Sequence, residues 1–462
     1  MNFLEKLRQE EILKKQNETR LSSSARRLPP GVAPEPEWIS RNASEDAEEP
    51  LRKALAKRRK RKLGTKMDSG EMLPNQDHGA SLLGGRIESN EFGSYVYRRE
   101  RNVPSYRDLK GSSANAFSKI AGLVSLLHGV EAIGESNEVV FLDTETTGLS
   151  GGTGTYAFLV GIGYWDGSAF AVEQFLMRDF HEEPAMLGAL EERLKPVRVL
   201  ITFNGKSFDI PLLKSRFTMA RRVWPLAPVL HLDLLFPARR IWKLRLGDCR
   251  LGNLEKEILG DKRPDDVAGN LIPQIYFDSI RSGNPAGIRK ILEHNSRDII
   301  TLARLTLKVS EILHGKQKTN LFPEELFSVG NYFNQLGELE SALSWNQAAL
   351  SFPLQMDLRL AAMKNLAASY KSRRLYSQAV ELWNTMIEES AAFHEEAYEG
   401  LSVHYEHREQ NLAKALELTH QAIRHVRRET ALARWNRRRE RLLRKIRKRP
   451  GLSHPALYET SS

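Results

Sequence analysis

The stretch VVFLDTE at residues 139–145 is the feature of this chain that most constrains its fold. Its apolar run predicts a buried strand, yet the strand reaches Asp143 and Glu145 before a segment rich in Gly and Thr. Alternate residues of a strand point to one face, so both carboxylates lie on the same side. Burying several unpaired carboxylates together is unfavourable. The stretch is therefore either a strand with two poorly placed charges or half of a metal site.

The pattern around this strand, from about residue 120 to 312, is α/β. YAFLVGIGYW and FAVEQFLM follow it as two strands at hairpin distance, with Asp166 and Gly167 as the turn. Helical and strand patterns then alternate up to a long amphipathic helix at 285–315. Three strands in a meander followed by alternating helices and strands predict a ribonuclease H-like arrangement, a mixed sheet flanked by helices, over residues 91–315.

A repeat replaces the strands at residues 322–425. Each of three units has an aromatic residue followed nine or ten positions later by a small alanine. The pairs are Phe333 with Ala342, Tyr370 with Ala379, and Tyr405 with Ala415. This period resembles tetratricopeptide repeats, helix pairs that stack into a solenoid with a concave groove for a protein partner. The alternative is an ordinary helical bundle.

The formal charge of +11 and the pI of about 9.5 favour an anionic partner, most simply nucleic acid. The cations concentrate at 53–66 and 424–449. Residues 1–90 have the composition of a disordered, basic, low-complexity tail. Residues 426–462 are predicted to be a basic helix and a C-terminal tail. The helix either binds nucleic acid through its phosphates or only caps the repeats.

The composition also bears on the compartment. Cys249 is the only cysteine, so a disulfide framework is excluded and a reducing cytosol fits. The charged N-terminus has no apolar core of signal-peptide length. No segment is apolar for long enough to cross a bilayer. We expect a cytoplasmic protein without a membrane partner.

Two further acidic residues stand in a context like that of Asp143 and Glu145. Asp209 lies in FNGKSFD just past a strand end, and Asp298 lies in EHNSRD on the long helix. Taken singly, each carboxylate is best explained as a surface acid, a helix cap or a salt bridge. Together they need a cation, and hard oxygen ligands select Mg²⁺ or Mn²⁺ over zinc.

Three motifs carry a resemblance to a known superfamily. FLDTETTGL, TFNGKSFDIPLL and EHNSRDI resemble the exonuclease motifs of the DEDD superfamily of 3′–5′ exonucleases. HLDLLFPARRIW, LGDCRLGNLEKEILG and LIPQIYFDSIRSG extend the similarity to the YprB-like family of predicted ribonuclease H-like exonucleases, which can carry C-terminal tetratricopeptide repeats. The resemblance covers roughly residues 92 to 312 and the repeats.

The resemblance implies a metal-dependent 3′–5′ exonuclease that hydrolyses single-stranded DNA or RNA. Asp143, Glu145, Asp209 and Asp298 would bind two Mg²⁺ or Mn²⁺ ions, with Asp143 bridging them. The superfamily usually places a water-activating Tyr four residues, or His five residues, before the last Asp. Here His294 stands four residues before Asp298, a departure from both patterns. One helical turn separates the two, so they share a face, and an ordinary histidine pKa near ~6.5 suits a general base.

Four residues of the first two motifs are the predicted substrate contacts. They are Asn204, Thr144, Phe208 and Lys206. Asn204 serves equally well to fix the local turn, and Lys206 is by default a solvated lysine. Asp233 and His231, in HLDLL, are predicted to be structural or to support the site from behind.

Two rival functions stay open from the sequence. In the first, the nuclease fold is inactive and the protein is a nucleic-acid-binding scaffold whose repeats recruit a partner. In the second, the protein is a structure-selective endonuclease, since one fold hosts several activities. The preference for DNA or RNA is not encoded in any residue that can be placed.

Overall fold

The structure, a computed structural model, describes residues 80–448 with short gaps. The gaps are residues 82, 168 and 227 and the segments 102–112, 131–137, 149–153 and 316–317. The described residues belong to one compact unit, Leu73–Ser462. Most of the predicted tail, the basic run at 53–66 and residues 449–462 lie outside the described part of the chain.

A seven-stranded mixed sheet forms the first half of the described chain. Its strands are β1 (Arg86–Asn90), β2 (Gly93–Arg101), β3 (Val139–Thr146), β4 (Ala157–Asp166), β5 (Ala169–Leu176), β6 (Val199–Thr202) and β7 (Leu230–Asp233). Their order is β1-β2-β5-β4-β3-β6-β7. Pairing is antiparallel from β1 to β3 and parallel between β3, β6 and β7. The predicted α/β ribonuclease H-like class is confirmed.

Helices accompany the sheet. They are α1 (Ser113–His128), α2 (Glu183–Leu194), α3 (Asp209–Met219), α4 (Leu235–Leu246), α5 (Leu251–Leu254), α6 (Ile272–Ser282) and α7 (Ala286–Leu313). A π-helical turn at Glu255–Leu259 continues α5. Short 3₁₀ turns occur at Phe180–Glu182, Gly269–Leu271 and Lys318–Asn320. The 28-residue α7 is the long amphipathic helix predicted at the end of this region.

The sheet begins earlier than predicted. β1 occupies Arg86–Asn90, inside the segment 1–90 that the composition assigned to a disordered tail. It pairs with β2 in antiparallel register, with Arg86 opposite Tyr97. As an edge strand with the polar sequence RIESN and mostly exposed side chains, it lacks the alternation that reveals a strand. The predicted start of this domain at residue 91 is therefore too late, because the sheet already begins at residue 86.

The central strand β3 is buried on both faces because two hydrophobic clusters enclose the sheet. Phe141 belongs to the cluster that includes Ile299 of α7, and its neighbour Leu142 belongs to the opposite cluster. Alternate side chains of a strand point to opposite faces, which explains the continuous apolar run. Burial of each such side chain contributes roughly 1.5–3 kcal/mol.

Two glycines of β4 allow α7 to lie close to the sheet. A Cβ atom on Gly161 would stand 2.2 Å from Asn295 Oδ1, and one on Gly163 would stand 2.4 Å from Ile299 Cγ2. Gly161 is the residue paired with Asp143 on β3. The close approach therefore brings the polar face of α7 beside the acidic end of β3.

An all-helical region follows, as predicted. Its helices are α8 (Pro323–Leu336), α9 (Leu339–Leu350), α10 (Met356–Ser372), α11 (Tyr376–Glu389), α12 (Glu395–His407), α13 (Leu412–His425) and α14 (Glu429–Arg447). Each helix packs against the next in the chain. The three alanines of the sequence repeat, Ala342, Ala379 and Ala415, are fully buried. None of the described helices has the length and apolar character needed to cross a bilayer.

The helical region shares a hydrophobic core with the sheet region. Leu326 and Phe333 of α8 and Trp345 of α9 lie in the same cluster as Trp242 of α4. At its margin Arg245 Nε donates to the buried Glu325 at 2.7 Å. The first helix pair is thus part of the fold of the sheet region.

Candidate functional site

Asp143 and Glu145 lie at the end of β3, where α7 crosses the sheet. The Asp143 carboxylate accepts a hydrogen bond from Asn295 Nδ2 at 2.9 Å. Asn295 is fully buried, and its own Oδ1 accepts from Gln174 Nε2 at 2.9 Å. The Glu145 side chain is only 12% exposed. Asn295 and Gln174, which the sequence analysis did not single out, therefore orient Asp143 from the side of α7 and β5.

Asp209 is the first residue of α3 and reaches toward β3. Its Oδ1 accepts a hydrogen bond from the Thr144 hydroxyl at 2.5 Å. A carboxylate in the first turn of a helix also benefits from the helix dipole. Thr144, predicted as a substrate contact, thus has its hydroxyl engaged in holding Asp209, while the prediction for substrate remains untested.

The turn between β6 and α3 is anchored by Asp233. The backbone N–H groups of Asn204 and Lys206 donate to the two carboxylate oxygens of Asp233, at 2.7 and 3.0 Å. Asn204 has a φ of 66°, a left-handed conformation that asparagine tolerates better than most residues. Asp233 is 2% exposed and also accepts from Leu235 N at 3.1 Å. It holds the turn that leads to Asp209.

The predicted substrate contacts on this turn differ in their surroundings. The Phe208 side chain is exposed, with 58% of the residue surface accessible. Lys206 Nζ lies 5.9 Å from the ring centroid of Phe236, another exposed aromatic residue. His231 instead bonds the Thr202 hydroxyl through Nε2 at 2.8 Å. Its burial, with the nearby charge of Lys206, lowers its pKa to about 4.

His294 and Asp298 lie one turn apart on α7 and face Glu145. His294 Nε2 is 3.5 Å from Asp298 Oδ2 and 3.9 Å from Glu145 Oε1. Asp298 Oδ1 lies 2.6 Å from Arg263 Nη1. The structure therefore brings the predicted base and the carboxylates of β3 and α7 together.

Two further charged residues, Arg263 and Asp266, complete this cluster from the loop 260–268. His294 Nδ1 is 2.7 Å from Asp266 Oδ1, and Arg263 Nη1 is 2.9 Å from Asp266 Oδ2. The sequence analysis missed both residues. Their loop has no periodic pattern, and Asp266 lies 28 positions before the histidine it contacts.

Three of the predicted ligands, Asp143, Glu145 and Asp209, are buried acids that nearby cations compensate little. Burial, followed by the charges of Asp298, Glu145 and Asp209, raises the pKa of Asp143 well above its usual range. Burial also raises the pKa of Glu145 to about 8, although the charge of His294 opposes this. Burial raises the pKa of Asp209 to about 6 against the Thr144 hydrogen bond. These shifts show that the four charges interact.

The surroundings of His294 shift its pKa away from the ordinary value expected from the sequence. Burial lowers its pKa, but the hydrogen bond to Asp266 and the charges of Asp298 and Glu145 outweigh burial and raise it to about 9. Burial acts to raise the pKa of Asp266, and hydrogen bonds from His294 and Arg263 hold it far below its usual range. The expectation of an unperturbed histidine is therefore wrong for the metal-free protein, because three carboxylates face the ring.

The chemistry of this donor set fits a hard divalent cation. Four carboxylates converge from β3, α3 and α7, and burial, together with repulsion by neighbouring carboxylates, raises the pKa values of three of them. Among the residues that the structure describes, no three acidic, histidine or cysteine side chains already stand in a coordinating arrangement. Asp298 Oδ1 lies 2.6 Å from Arg263 Nη1, and Oδ2 lies 3.5 Å from His294 Nε2.

The chain is similar to several known proteins. Residues 140–310 match a family described as RNase_H superfamily, a segment that contains both Asp143 and Asp298. The protein YprB of Bacillus subtilis (strain 168) is 31% identical over 303 residues, which are 64% of this chain and 72% of YprB. A family B DNA polymerase from the archaeon Pyrobaculum calidifontis aligns with a TM-score of 0.30 and 14% identity. That alignment covers 51% of this chain and 29% of the polymerase chain.

Proposed function

The chain belongs to the YprB family and carries a domain of the RNase H superfamily, and from this premise we propose that it is a metal-dependent nuclease. Its proposed reaction is 3′–5′ exonucleolytic hydrolysis of phosphodiester bonds in single-stranded nucleic acid. The observation that carries the proposal is the uncompensated charge of Asp143, Glu145 and Asp209 beside Asp298, within reach of a histidine. Perturbed pKa values of this kind cluster at functional sites.

Asp143, Glu145, Asp209 and Asp298 are the residues that would hold two Mg²⁺ or Mn²⁺ ions. When bound, such ions activate water at neutral pH and stabilise negative charge on the departing oxygen. The oxygen-only donor set favours these metals over softer ones. Asn295 and Thr144 keep Asp143 and Asp209 in place through the hydrogen bonds described above.

His294 is the proposed base for the attacking water. Its Nε2 faces Glu145 and Asp298, while its Nδ1 is engaged by Asp266. The negative charges of these acids raise the pKa of His294. Once the charges of Glu145 and Asp298 are compensated, the imidazole loses much of that stabilisation and becomes able to accept a proton near neutral pH.

The turn between β6 and α3 is the proposed site for the terminal nucleotide. Phe208 presents an exposed ring next to Asp209, and base–aromatic stacking contributes about 1–3 kcal/mol for each base. Lys206 supplies a charge suited to a phosphate, and Asn204 a polar side chain on the same turn. Stacking tolerates every base, so we expect little sequence preference.

The basic helix α14 has two proposed roles, as a cap on the helical region and as a contact for nucleic acid. Trp435, Leu442 and Ile446 are buried, which suits a cap on the helical region. Four of its cations pair with acids of α12, in the pairs Arg434–Glu395, Arg438–Glu399, Arg441–Glu406 and Lys445–Glu406. The exposed Arg437 and Arg444 make no ion pair with any residue the structure describes. These exposed cations are the proposed contacts for nucleic-acid phosphates.

The test is degradation of single-stranded DNA and RNA, labelled at either end, in Mg²⁺ or Mn²⁺. Wild type is compared with Asp143→Asn and with Asp278→Asn, an exposed acid of α6. We expect metal-dependent shortening from the 3′ end, unchanged in Asp278→Asn and at least about 10³-fold slower in Asp143→Asn.

Substrate design separates the rival activities. Cleavage of a substrate blocked at its 3′ end would replace the exonuclease by an endonuclease. Binding without any cleavage of DNA or RNA by the wild type would overturn the nuclease proposal in favour of the scaffold. The proposed tetratricopeptide groove is tested separately by pull-down with a chain truncated after residue 355, which keeps the helix pair α8–α9 that packs on the sheet region.

A further inference from the structure

The loop 260–268 runs from the π-helical turn to the 3₁₀ turn at Gly269–Leu271 and passes beside α7. Both carboxylate oxygens of its Asp266 are engaged. Oδ1 is 2.7 Å from His294 Nδ1 and accepts from the backbone of Val267 at 2.9 Å, and Oδ2 is 2.9 Å from Arg263 Nη1. The side chains of Asp266 and His294 are 19% and 13% exposed. The pair is therefore shielded from competing water.

The contact between Asp266 and His294 Nδ1 determines where Nε2, on the opposite edge of the imidazole, points. A ring that donates its Nδ1–H to a carboxylate carries its second nitrogen, Nε2, on the opposite edge. That nitrogen faces Asp298 Oδ2 at 3.5 Å and Glu145 Oε1 at 3.9 Å. When the ring is neutral, the proton stays on Nδ1 and the lone pair of Nε2 points at the carboxylate cluster.

Arg263 ties this arrangement to a predicted metal ligand. Its Nη1 is 2.6 Å from Asp298 Oδ1 as well as 2.9 Å from Asp266 Oδ2. Its Nε contacts the buried Glu255, and its side chain is 12% exposed. The guanidinium thus fixes Asp266 and Asp298 relative to each other, with His294 between them.

We propose that Asp266 is the positioning residue of His294, holding Nδ1 so that Nε2 accepts the proton of the attacking water. In that step the water oxygen bonds to phosphorus, its proton moves to Nε2, and the P–O3′ bond breaks with its electron pair going to O3′. The catalytic consequence rests on the proposed nuclease function. The positioning of the ring is a property of the chain itself and is tested without turnover.

The first test observes the histidine directly. Full-length protein labelled with ¹⁵N-histidine is studied by NMR, metal-free and with Ca²⁺, and the His294 ring is assigned with His294→Gln. We expect a downfield, slowly exchanging Nδ1 proton in wild type and in Asp265→Ala, and its loss in Asp266→Ala, which has no side-chain acceptor. Asp265 is the matched control, because it is the exposed neighbour of Asp266. Persistence of the signal in Asp266→Ala would overturn the proposal.

The second test measures cleavage of single-stranded DNA with Mn²⁺. Asp266→Asn should lower kcat about 10²- to 10⁴-fold with little change in KM, because the wrong tautomer cannot accept a proton. Asp266→Glu should recover part of that loss, and Asp265→Asn should match wild type. The double variant Asp266→Asn/His294→Gln should be no slower than His294→Gln alone. Asp266 acts through His294, so its loss has no further effect once the histidine is gone.

Outcomes of the two tests distinguish this inference from the proposed function. Independent, multiplicative losses in the double variant would show that Asp266 does not act through His294. A wild type without nuclease activity, but with the expected Nδ1 signal, would refute the function and leave the positioning role in place. Thermal unfolding of Asp266→Asn and Asp266→Glu identifies any loss of folding.

Discussion

Glu406 on α12 and Glu145 on β3 are both shielded from solvent, with side chains 0% and 12% exposed, yet the protein treats their charges in opposite ways. Glu406 accepts hydrogen bonds from Arg441 at 2.7 Å and Lys445 at 2.7 Å. Burial alone would raise its pKa, but these hydrogen bonds outweigh burial and lower it to about 2. Burial raises the pKa of Glu145 to about 8, with only His294 opposing it.

The difference shows where the chain supplies its own counter-charge and where it does not. At Glu406 the cations come from the next helix but one, and the acid joins α14 to α12. At the candidate site, in contrast, Asp143 and Asp209 have no ion pair with any described residue, and Glu145 has only a distant histidine. A buried acid that a protein leaves uncompensated is a typical mark of a functional site, and a paired one is typical of structure.

The largest expected effect on stability follows from removing the paired acid. Glu406→Gln should lower the free energy of unfolding by about 2–3 kcal/mol, because two cations lose their partner. Arg441 and Lys445 are 43% and 41% exposed and can turn toward water, which keeps the loss below that of a fully buried pair. Urea unfolding measures it, with Glu440→Gln as control, since Glu440 is an exposed acid without an ion pair among the described residues. If the urea midpoint of Glu406→Gln equalled that of wild type, the ion pairs of Glu406 would not stabilise the fold, and Glu406 would not differ from Glu145 in this respect.

Removing an unpaired acid should change the free energy of unfolding in the opposite direction. In protein without added metal, Asp143→Asn should raise the free energy of unfolding by about 1–2 kcal/mol, because it replaces an acid that burial and three neighbouring carboxylates disfavour by a neutral group. The substitution leaves a group of the same shape beside Asn295. The same urea series in EDTA gives the value. Destabilisation as large as that of Glu406→Gln would mean that Asp143 is a structural acid.

The pH dependence of metal binding sharpens the comparison further. The folded-state pKa of Glu145 is about 8 against an ordinary 4.5, and that of His294 is about 9 against 6.5. Folded protein therefore binds these protons more tightly than unfolded protein. The resulting stability is complete below the ordinary pKa values and is lost as pH rises through the folded ones.

Metal-free protein should consequently lose stability between about pH 4.5 and 9. Mn²⁺ should raise the melting temperature more at pH 8.5 than at pH 5.5, because the ligands bind metal as they release protons. Thermal unfolding with and without Mn²⁺ measures this, and Glu145→Gln should show a smaller pH trend. An equal rise in melting temperature at both pH values would contradict the assignment of these acids as metal ligands.

The smallest effect concerns Arg437 and Arg444, two exposed cations of α14 that make no ion pair with any described residue. Arg437→Gln/Arg444→Gln should leave stability and turnover of short oligonucleotides unchanged. It should reduce the slope of log Kd against log salt for long single strands by about 1–2, as expected when two phosphate contacts are lost. Fluorescence anisotropy measures the slope. An equal reduction in Arg239→Gln/Lys243→Gln, a matched change on exposed residues of α4, would show that only net charge matters.

The sheet and the acidic residues could be predicted because local sequence encodes them. The apolar run of β3, the Asp166–Gly167 turn and the alternation of later helices and strands each have a short-range pattern. Asp143 and Glu145 stand where that pattern is violated, which is where functional residues are expected. Asn295 was within reach as well, because it precedes Asp298 by three residues and shares its face of α7.

The supporting charges could not be predicted in the same way. Asp266 and Arg263 lie on an aperiodic loop, and only the tertiary fold brings them to His294. Without them, the pKa of His294 could not be anticipated, since its hydrogen bond to Asp266 contributes to the rise. The edge strand β1 was missed for a related reason, because exposed polar residues give no alternation.

The core that α8 and α9 share with α4 has a consequence for how the molecule unfolds. Trp345 and Trp242 lie in one hydrophobic cluster, whereas Met363 and Trp383 of the following helices belong to another. Cooperative units follow such clusters. The thermodynamic boundary of the chain therefore lies between α9 and α10, near residues 351–355, and not at the loop before α8. Calorimetry should separate the unfolding of α10–α14, whose side chains form clusters of their own, from that of the sheet with α8 and α9. A single transition for the whole chain would contradict this boundary.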